Sequence, residues 1–316
     1  MYHSSCTELT NISNHVFWRF FNSFDTVITC CEGVLWNADK EIKGSPATLN
    51  RLREIGKQIF FFTNNSMRTR KEVVEHAEKL GIIIHEDEVV SSSYLTAYYL
   101  RSLNFNGTAY VIGSKGLVHE LEAFGITHIG TGPDPPAETI ADTYLEAEID
   151  PEVKAVVVGL DEHFSLPKIL KAATYLEDPT CEFVALSSEE RRSGFTPKAV
   201  PSTGAILAAI ETCSGRKAKI LGKPSSYIIE YLRTHHCIDP QKTLLLGDRL
   251  KIDILLGQAC GCQTLIVLSG MTQAEELYSK LRSRYLGENT DGLFPDLYTK
   301  SLEDMLPYLI LKEHKN

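Results

Sequence analysis

Four short apolar runs constrain this chain more than anything else in its sequence. They are Thr26-Val27-Ile28-Thr29, Gln58-Ile59-Phe60-Phe61-Phe62, Thr243-Leu244-Leu245-Leu246 and Thr264-Leu265-Ile266-Val267-Leu268. None alternates apolar with polar, so none can present one face to water. Strands of this kind are covered on both faces, the situation of a parallel sheet flanked by helices. Helical stretches fall between them: Pro46 to Ile55, Arg68 to Leu80 with Gly81 as a C-cap, and about Ile252 to Ala259. Strand-helix-strand order implies parallel pairing. Ligands of such sheets bind at the carboxyl ends of the strands. The first 23 residues read as a helix that packs on this main domain.

The middle of the chain carries strands of its own: Ala109-Tyr110-Val111-Ile112, Ala155-Val156-Val157-Val158 and Phe183-Val184-Ala185-Leu186. A loop rich in Gly and Pro, from Gly130 to Pro136, lies among them. This predicts a second α/β unit inserted into the first. The expected division is a core formed by residues 1–104 and 201–316 with an insert over 105–200. The sequence contains no internal repeat and no low-complexity tract.

Charge and cysteines narrow the function classes. A net charge of −9 opposes a general nucleic-acid or anionic-membrane surface, so neither partner is expected. The eight cysteines form no C-x-x-C pair, and several sit in apolar runs where Cys acts as a small hydrophobe. Reduced thiols and a cytoplasmic location are the expectation. The apolar run Val16 to Phe21 is short and interrupted by Arg19, which fits neither a signal peptide nor an anchor.

Three loops have the composition of an anion and cation site. Thr63-Asn64-Asn65-Ser66 follows an apolar strand and offers a hydroxyl, an amide and backbone N–H groups, which suit a phosphate oxygen or a simple helix cap. In Gly222-Lys223-Pro224-Ser225 a constrained backbone could aim the Lys223 ammonium at an anion; alone, it would read as a solvated loop lysine. Asp248 ends the three-leucine strand in Gly247-Asp248-Arg249-Leu250, and Asp253 follows about one helical turn later. Two such carboxylates could share a Mg²⁺ ion, which wants hard oxygen ligands, or could form an N-cap network.

In order and spacing these loops resemble those of the haloacid-dehalogenase-like phosphatases. The similar branch is the p-nitrophenylphosphatase, phosphoglycolate phosphatase and pyridoxal-phosphate phosphatase (chronophin) family. The resemblance covers nearly the whole chain. It includes Gly159-Leu160-Asp161-Glu162-His163-Phe164-Ser165 and Ser214-Gly215-Arg216-Lys217-Ala218. It implies a Rossmann-like core with a parallel sheet and an inserted α/β cap. It further implies Mg²⁺ as cofactor, a phosphorylated small molecule as ligand, and pairing through the cap as a homodimer or with a paralogue. Asp161 and His163 would belong to the cap segment near substrate. Thr63, Asn64 and Lys223 would bind phosphate, and Asp248 and Asp253 would serve the metal.

One loop departs from the family. Where Asp-x-Asp-Gly is expected, the chain reads Cys30-Cys31-Glu32-Gly33, followed by Val34-Leu35-Trp36. In the family the first Asp attacks phosphorus and binds Mg²⁺, and the second is general acid and base. Those positions fall on Cys30 and Glu32. Asp25 offers no other register, because it precedes the strand and lacks the following glycine. A Cys-x5-Arg phosphate loop is also absent, since that spacing lands on Trp36 or Asn37. A thiolate is a good nucleophile but a poor Mg²⁺ ligand, so the exchange removes two functions together. Glu32 is one methylene longer than Asp, and a misplacement of about 1 Å can cost on the order of 10²-fold. Cys30 and Cys31 also read as plain buried strand residues. Further departures are Leu186-Ser187 for Thr-Asn, Ser202-Thr203-Gly204 for Gly-Thr-Gly, and Lys251-Ile252-Asp253 for Asp-Thr-Asp. The expectation is a phosphatase homologue that binds phosphate or a phosphorylated metabolite and turns it over very slowly. The alternatives are an active Mg²⁺-dependent phosphatase using Cys30 or Glu32, and a regulatory partner of an active paralogue.

Overall fold

The computed structural model describes residues 6–192, 198–288 and 292–310. The chain forms two compact units. The first is built from residues 1–63, 73–90 and 228–316, the second from 64–72 and 91–227.

The first unit is organised on a seven-stranded sheet. Its spatial order is Thr7–Glu8, Leu297–Thr299, Gln263–Val267, Thr243–Gly247, Thr26–Cys30, Gln58–Thr63 and Val89–Ser91. The four apolar runs occupy the middle of this sheet and pair in parallel, with Leu245 opposite Ile28 and Ile28 opposite Phe60. Every residue of Thr26–Cys30 and Thr243–Gly247 is buried. From Thr26–Cys30 the chain moves one way to Gln58–Thr63, and later returns on the other side with Thr243–Gly247. The strand order therefore reverses at Thr26–Cys30, and its carboxyl end is the switch point where such sheets open a crevice. The N-terminal helix is Asn14–Phe21, capped by the Ser13 hydroxyl accepting from the Val16 N–H. It buries Phe17, Phe20 and Phe21, which share one helical face, and Phe17 stacks on Tyr308 at 4.3 Å.

One element differs from its expected form. Instead of a helix over Ile252 to Ala259, residues Leu250–Ile254 form a π-helical turn, and an α-helix then runs Leu255–Cys260. The carbonyl of Arg249 is the cause: it accepts from the N–H groups of Ile252, Asp253 and Ile254, at 3.4, 2.9 and 3.3 Å. Single π-helical turns are uncommon and cluster at functional sites.

The second unit has its own parallel sheet of five strands. Their order is Lys219–Ile220, Glu182–Ala185, Val153–Val158, Thr108–Ile112 and Thr127–Ile129. Apolar clusters cover both faces. One holds Tyr110, Val156, Val158, Phe183 and Ile210, and the other Leu100, Val111, Leu117, Val157 and Leu186. Helix Ser92–Ser102, capped by the Ser91 hydroxyl, contributes Leu100 to the second. An antiparallel hairpin joins Arg191–Arg192 to Val200–Pro201. The overall class is α/β with parallel sheets. No helix among the described residues is long and apolar enough to cross a membrane.

Candidate functional site

In the first unit, Cys30, Thr63 and Asp248 all lie at the carboxyl edge of the sheet. Cys30 is the last residue of the central strand, Thr63 the last of its neighbour, and Asp248 follows Gly247 on the other side. All three are buried. The Cys30 thiol donates to the carbonyl oxygen of Glu32 at 3.6 Å. Cys30 and Cys31 also belong to the main apolar cluster of the unit. Glu32 is half-buried and forms a bridge with Trp36.

Asp248 is held tightly. Its Oδ2 accepts from the Met271 N–H at 2.9 Å. A Cβ on Gly33 would lie 2.2 Å from that oxygen, and one on Gly270 would lie 2.3 Å from it. Gly33 also has a φ of 78°, where a side chain would be strained. The glycine of the degenerate first loop is thus explained by the carboxylate it must approach. Asp253 is turned into the unit by the π-helical turn. Its Oδ2 accepts from the backbone N–H groups of Asp248 and Arg249, at 3.2 and 3.1 Å. This is in part the capping network that the sequence allowed, now fully buried. Lys251 points to solvent.

The Cys30 Sγ and one oxygen each from Asp248 and Asp253 lie within 4.8 Å of one another. As a set, these donors do not fit Mg²⁺. That ion takes hard oxygens in a near-ideal octahedron, whereas one donor here is a soft sulfur. An Asp253 oxygen is moreover engaged by two amides.

In the second unit, Asn64 and Lys223 form a reciprocal pair. The Asn64 Nδ2 donates to the Lys223 carbonyl at 3.1 Å, and its Oδ1 accepts from the Lys223 N–H at 3.0 Å. Asn64 Nδ2 also reaches the Ser187 hydroxyl at 3.4 Å. A Cβ on Gly222 would lie 2.1 Å from the Leu186 carbonyl oxygen and 2.5 Å from Asn64 Oδ1. Only glycine allows this approach. Lys223 is 3% exposed, so it is no solvated loop lysine. Leu186-Ser187, which departs from the family's Thr-Asn, is therefore part of the same cluster.

The sequence reading missed two buried serines of this unit. Ser66 and Ser92 are buried, and neither hydroxyl has a hydrogen-bond partner among the described residues. A Cβ on Gly222 would lie 2.9 Å from the Ser92 Cβ. The run Ser91-Ser92-Ser93 reads from sequence as a helix cap, and only Ser91 serves as one. Nothing in the sequence separates the capping serine from the next two.

Asp161 and His163 are adjacent but differently placed. The Asp161 carboxylate is buried, pairs with Lys168 Nζ at 2.5 Å, and accepts from the His163 N–H at 2.8 Å. Its visible work is to hold the loop. The His163 side chain is 43% exposed, which makes it the member of the pair that a ligand could reach. Nearby, burial and then the Asp134 charge raise the Tyr110 hydroxyl above the usual phenol range. All eight cysteines are free thiols; burial pushes Cys181 up to about 11 and Cys262 up to about 12. These thiols are poor nucleophiles at neutral pH.

Comparison with known proteins agrees with this geometry. Residues 27–127 match the family model "Haloacid dehalogenase-like hydrolase", and residues 220–297 match "HAD-hyrolase-like". Glycerol-3-phosphate phosphatase of Gallus gallus is 41% identical over 90% of this chain and 92% of its own. Chronophin of Homo sapiens is 37% identical over 88% and 91%. Among solved structures, the p-nitrophenyl phosphatase of Archaeoglobus fulgidus superposes with a TM-score of 0.74 at 26% identity, covering 90% of this chain and 99% of the other. The 4-nitrophenylphosphatase of Thermotoga maritima gives 0.74 at 25%, covering 90% and 97%. With a first sheet that reverses at Cys30 and a separate five-stranded parallel sheet in its second unit, the chain belongs to the haloacid dehalogenase-like hydrolases, in the group that holds glycerol-3-phosphate phosphatase, chronophin and the p-nitrophenylphosphatases.

Proposed function

We propose that this chain is a pseudophosphatase, which binds a phosphorylated small molecule and turns it over very slowly. The observation that carries the reading is the group at the switch point of the sheet. The residue there is Cys30, a buried thiol turned onto the Glu32 carbonyl. Where the family places an attacking carboxylate, no carboxylate stands. Asp248 is a poor substitute nucleophile, because a backbone N–H fixes it and two glycines confine it. The binding side is less altered. Lys223 is buried and its backbone is clamped by Asn64, Ser92 lies beside Gly222, and the Ser92 and Ser66 hydroxyls of the same unit are buried. An ammonium and hydroxyls held in a dry environment suit a phosphate dianion. Glycerol 3-phosphate and p-nitrophenyl phosphate are the first ligands to try, because the relatives' names carry those substrates.

The purified protein with Mg²⁺ is the right material, given p-nitrophenyl phosphate, glycerol 3-phosphate, phosphoglycolate and pyridoxal phosphate in turn. Thermal protection reports binding, and phosphate release reports turnover. At least one ligand is expected to raise the melting temperature while release stays below the roughly 1 s⁻¹ floor of ordinary enzymes. Turnover in the ordinary range would sink the reading, and its loss or survival in Cys30→Ala would say whether the thiol carries it.

A second reading, pairing with another chain, has its own support. The helix Ile140–Leu145 carries Leu145 at 84% and Ile140 at 63% exposure, with Tyr144, Ile149 and Leu166 also exposed. Clustered exposed apolar side chains on one element mark an interaction face. The proposed occupant is a second copy of this chain, or a paralogue presenting the same helix.

A further inference from the structure

We infer that the buried trio Cys30, Asp248 and Asp253 is a site for a borderline-soft divalent cation, with Zn²⁺ as the natural occupant, and that it discriminates against Mg²⁺. The inference concerns the same crevice as the function proposed above. It rests on the donor atoms and not on whether turnover occurs.

One thiol sulfur and two carboxylate oxygens lie within 4.8 Å of one another. Zn²⁺ accepts Cys sulfur at about 2.3 Å and carboxylate oxygen at about 2.0–2.2 Å, commonly with three protein ligands and one open position. A tetrahedron of that size has donor–donor edges of roughly 3.3–3.6 Å. The trio must therefore contract by at most about 1.2–1.5 Å on any edge, within the reach of side-chain rotations. Mg²⁺ fares worse here. It needs six oxygens and gains nothing from the thiol. Sulfur also raises selectivity for Zn²⁺ over hard ions by ligand softness alone.

The surroundings match what metal ligands require. Ligating carboxylates are normally fixed by outer hydrogen bonds. Asp248 accepts from the Met271 N–H, and Asp253 from the N–H groups of Asp248 and Arg249. Binding is balanced simply. The Cys30 S–H bond breaks, its proton passes to solvent, and the sulfur lone pair forms the bond to Zn²⁺. The thiol gives up its hydrogen bond to the Glu32 carbonyl in the process.

The test loads metal-free full-length protein with Zn²⁺ in the presence of excess Mg²⁺, then measures bound metal by emission spectroscopy. In parallel, Co²⁺ is added and the thiolate-to-cobalt charge-transfer absorption recorded. One Zn²⁺ per chain is expected to remain after dialysis against Mg²⁺, with a charge-transfer band for Co²⁺. Cys30→Ser is expected to abolish that band and weaken Zn²⁺ binding by about 10²-fold or more, since even outer-shell losses cost 10–100-fold. Cys31→Ser should leave both unchanged. Cys30→Asp should lose the band and gain Mg²⁺ affinity, so the inference does not hang on Cys30→Ser folding. Absence of retained Zn²⁺ in the wild type, a band that survives Cys30→Ser, or preferential retention of Mg²⁺ would each overturn it. Because no phosphate ester is present, such a failure leaves the pseudophosphatase reading standing. Conversely, fast turnover with Mg²⁺ ends that reading without touching the metal measurement.

Discussion

At the residue scale, buried carboxylates anchor both units. Asp248 and Asp253 accept from backbone N–H groups in the first unit. In the second, Asp161 faces a full ammonium, Lys168, with side-chain exposures of 1% and 0%. Removing one member of such a pair leaves an uncompensated charge in a dry interior. Asp161→Ala is therefore expected to lower stability by about 3–5 kcal/mol, read from urea denaturation. Combining it with Lys168→Met should recover more than half of the loss, because the orphaned charge is gone. A single mutant within about 1 kcal/mol of wild type would mean that water reaches Lys168 and the pair is not sealed. Asp161 stood out in the sequence only through family likeness. Its partner seven residues on, inside the amphipathic helix Leu166–Tyr175, reads in isolation as a surface lysine. Burial of a long cationic side chain is decided by the neighbouring elements, and no local pattern encodes it.

At the scale of elements, legibility followed hydrophobic pattern. The four apolar runs became the four central strands because nothing but a doubly covered sheet accommodates them. The strands of the second unit were readable for the same reason. The π-helical turn at Leu250–Ile254 was not. Its cause is a carbonyl shared among three amides and a carboxylate pulled onto the turn before it, and the sequence there has ordinary helical composition. The amphipathic helix Ile140–Leu145 supplies the prediction at this scale. If its apolar face joins two chains, Leu145→Glu should shift the protein from dimer to monomer in sedimentation equilibrium, with secondary structure intact. The residue is exposed, so the change costs the fold little. A wild type that is monomeric at high micromolar concentration removes the dimer reading.

At the scale of the whole molecule, the chain has the fold of the haloacid dehalogenase-like hydrolases and carries Cys30 and Glu32 in the loop that ends its central strand. Backbone devices hold the loops: the switch point at Cys30, the Gly33 approach to Asp248, and the Asn64 clamp on the Lys223 backbone. The departure was legible because Cys30 and Glu32 stand where the resemblance expects Asp, directly before Gly33. The central claim is that the deficit resides in Cys30 and Glu32. It is tested most directly by p-nitrophenyl phosphate turnover in four proteins: wild type, Cys30→Asp, Glu32→Asp and the double variant. Groups that act as a unit are strongly non-additive, so each single change should recover little. The double variant should exceed wild type and both singles by about 10²-fold or more, the usual worth of a positioned acid/base. Wild type already turning over at the double variant's rate, with Cys30→Ala no slower, would contradict the account.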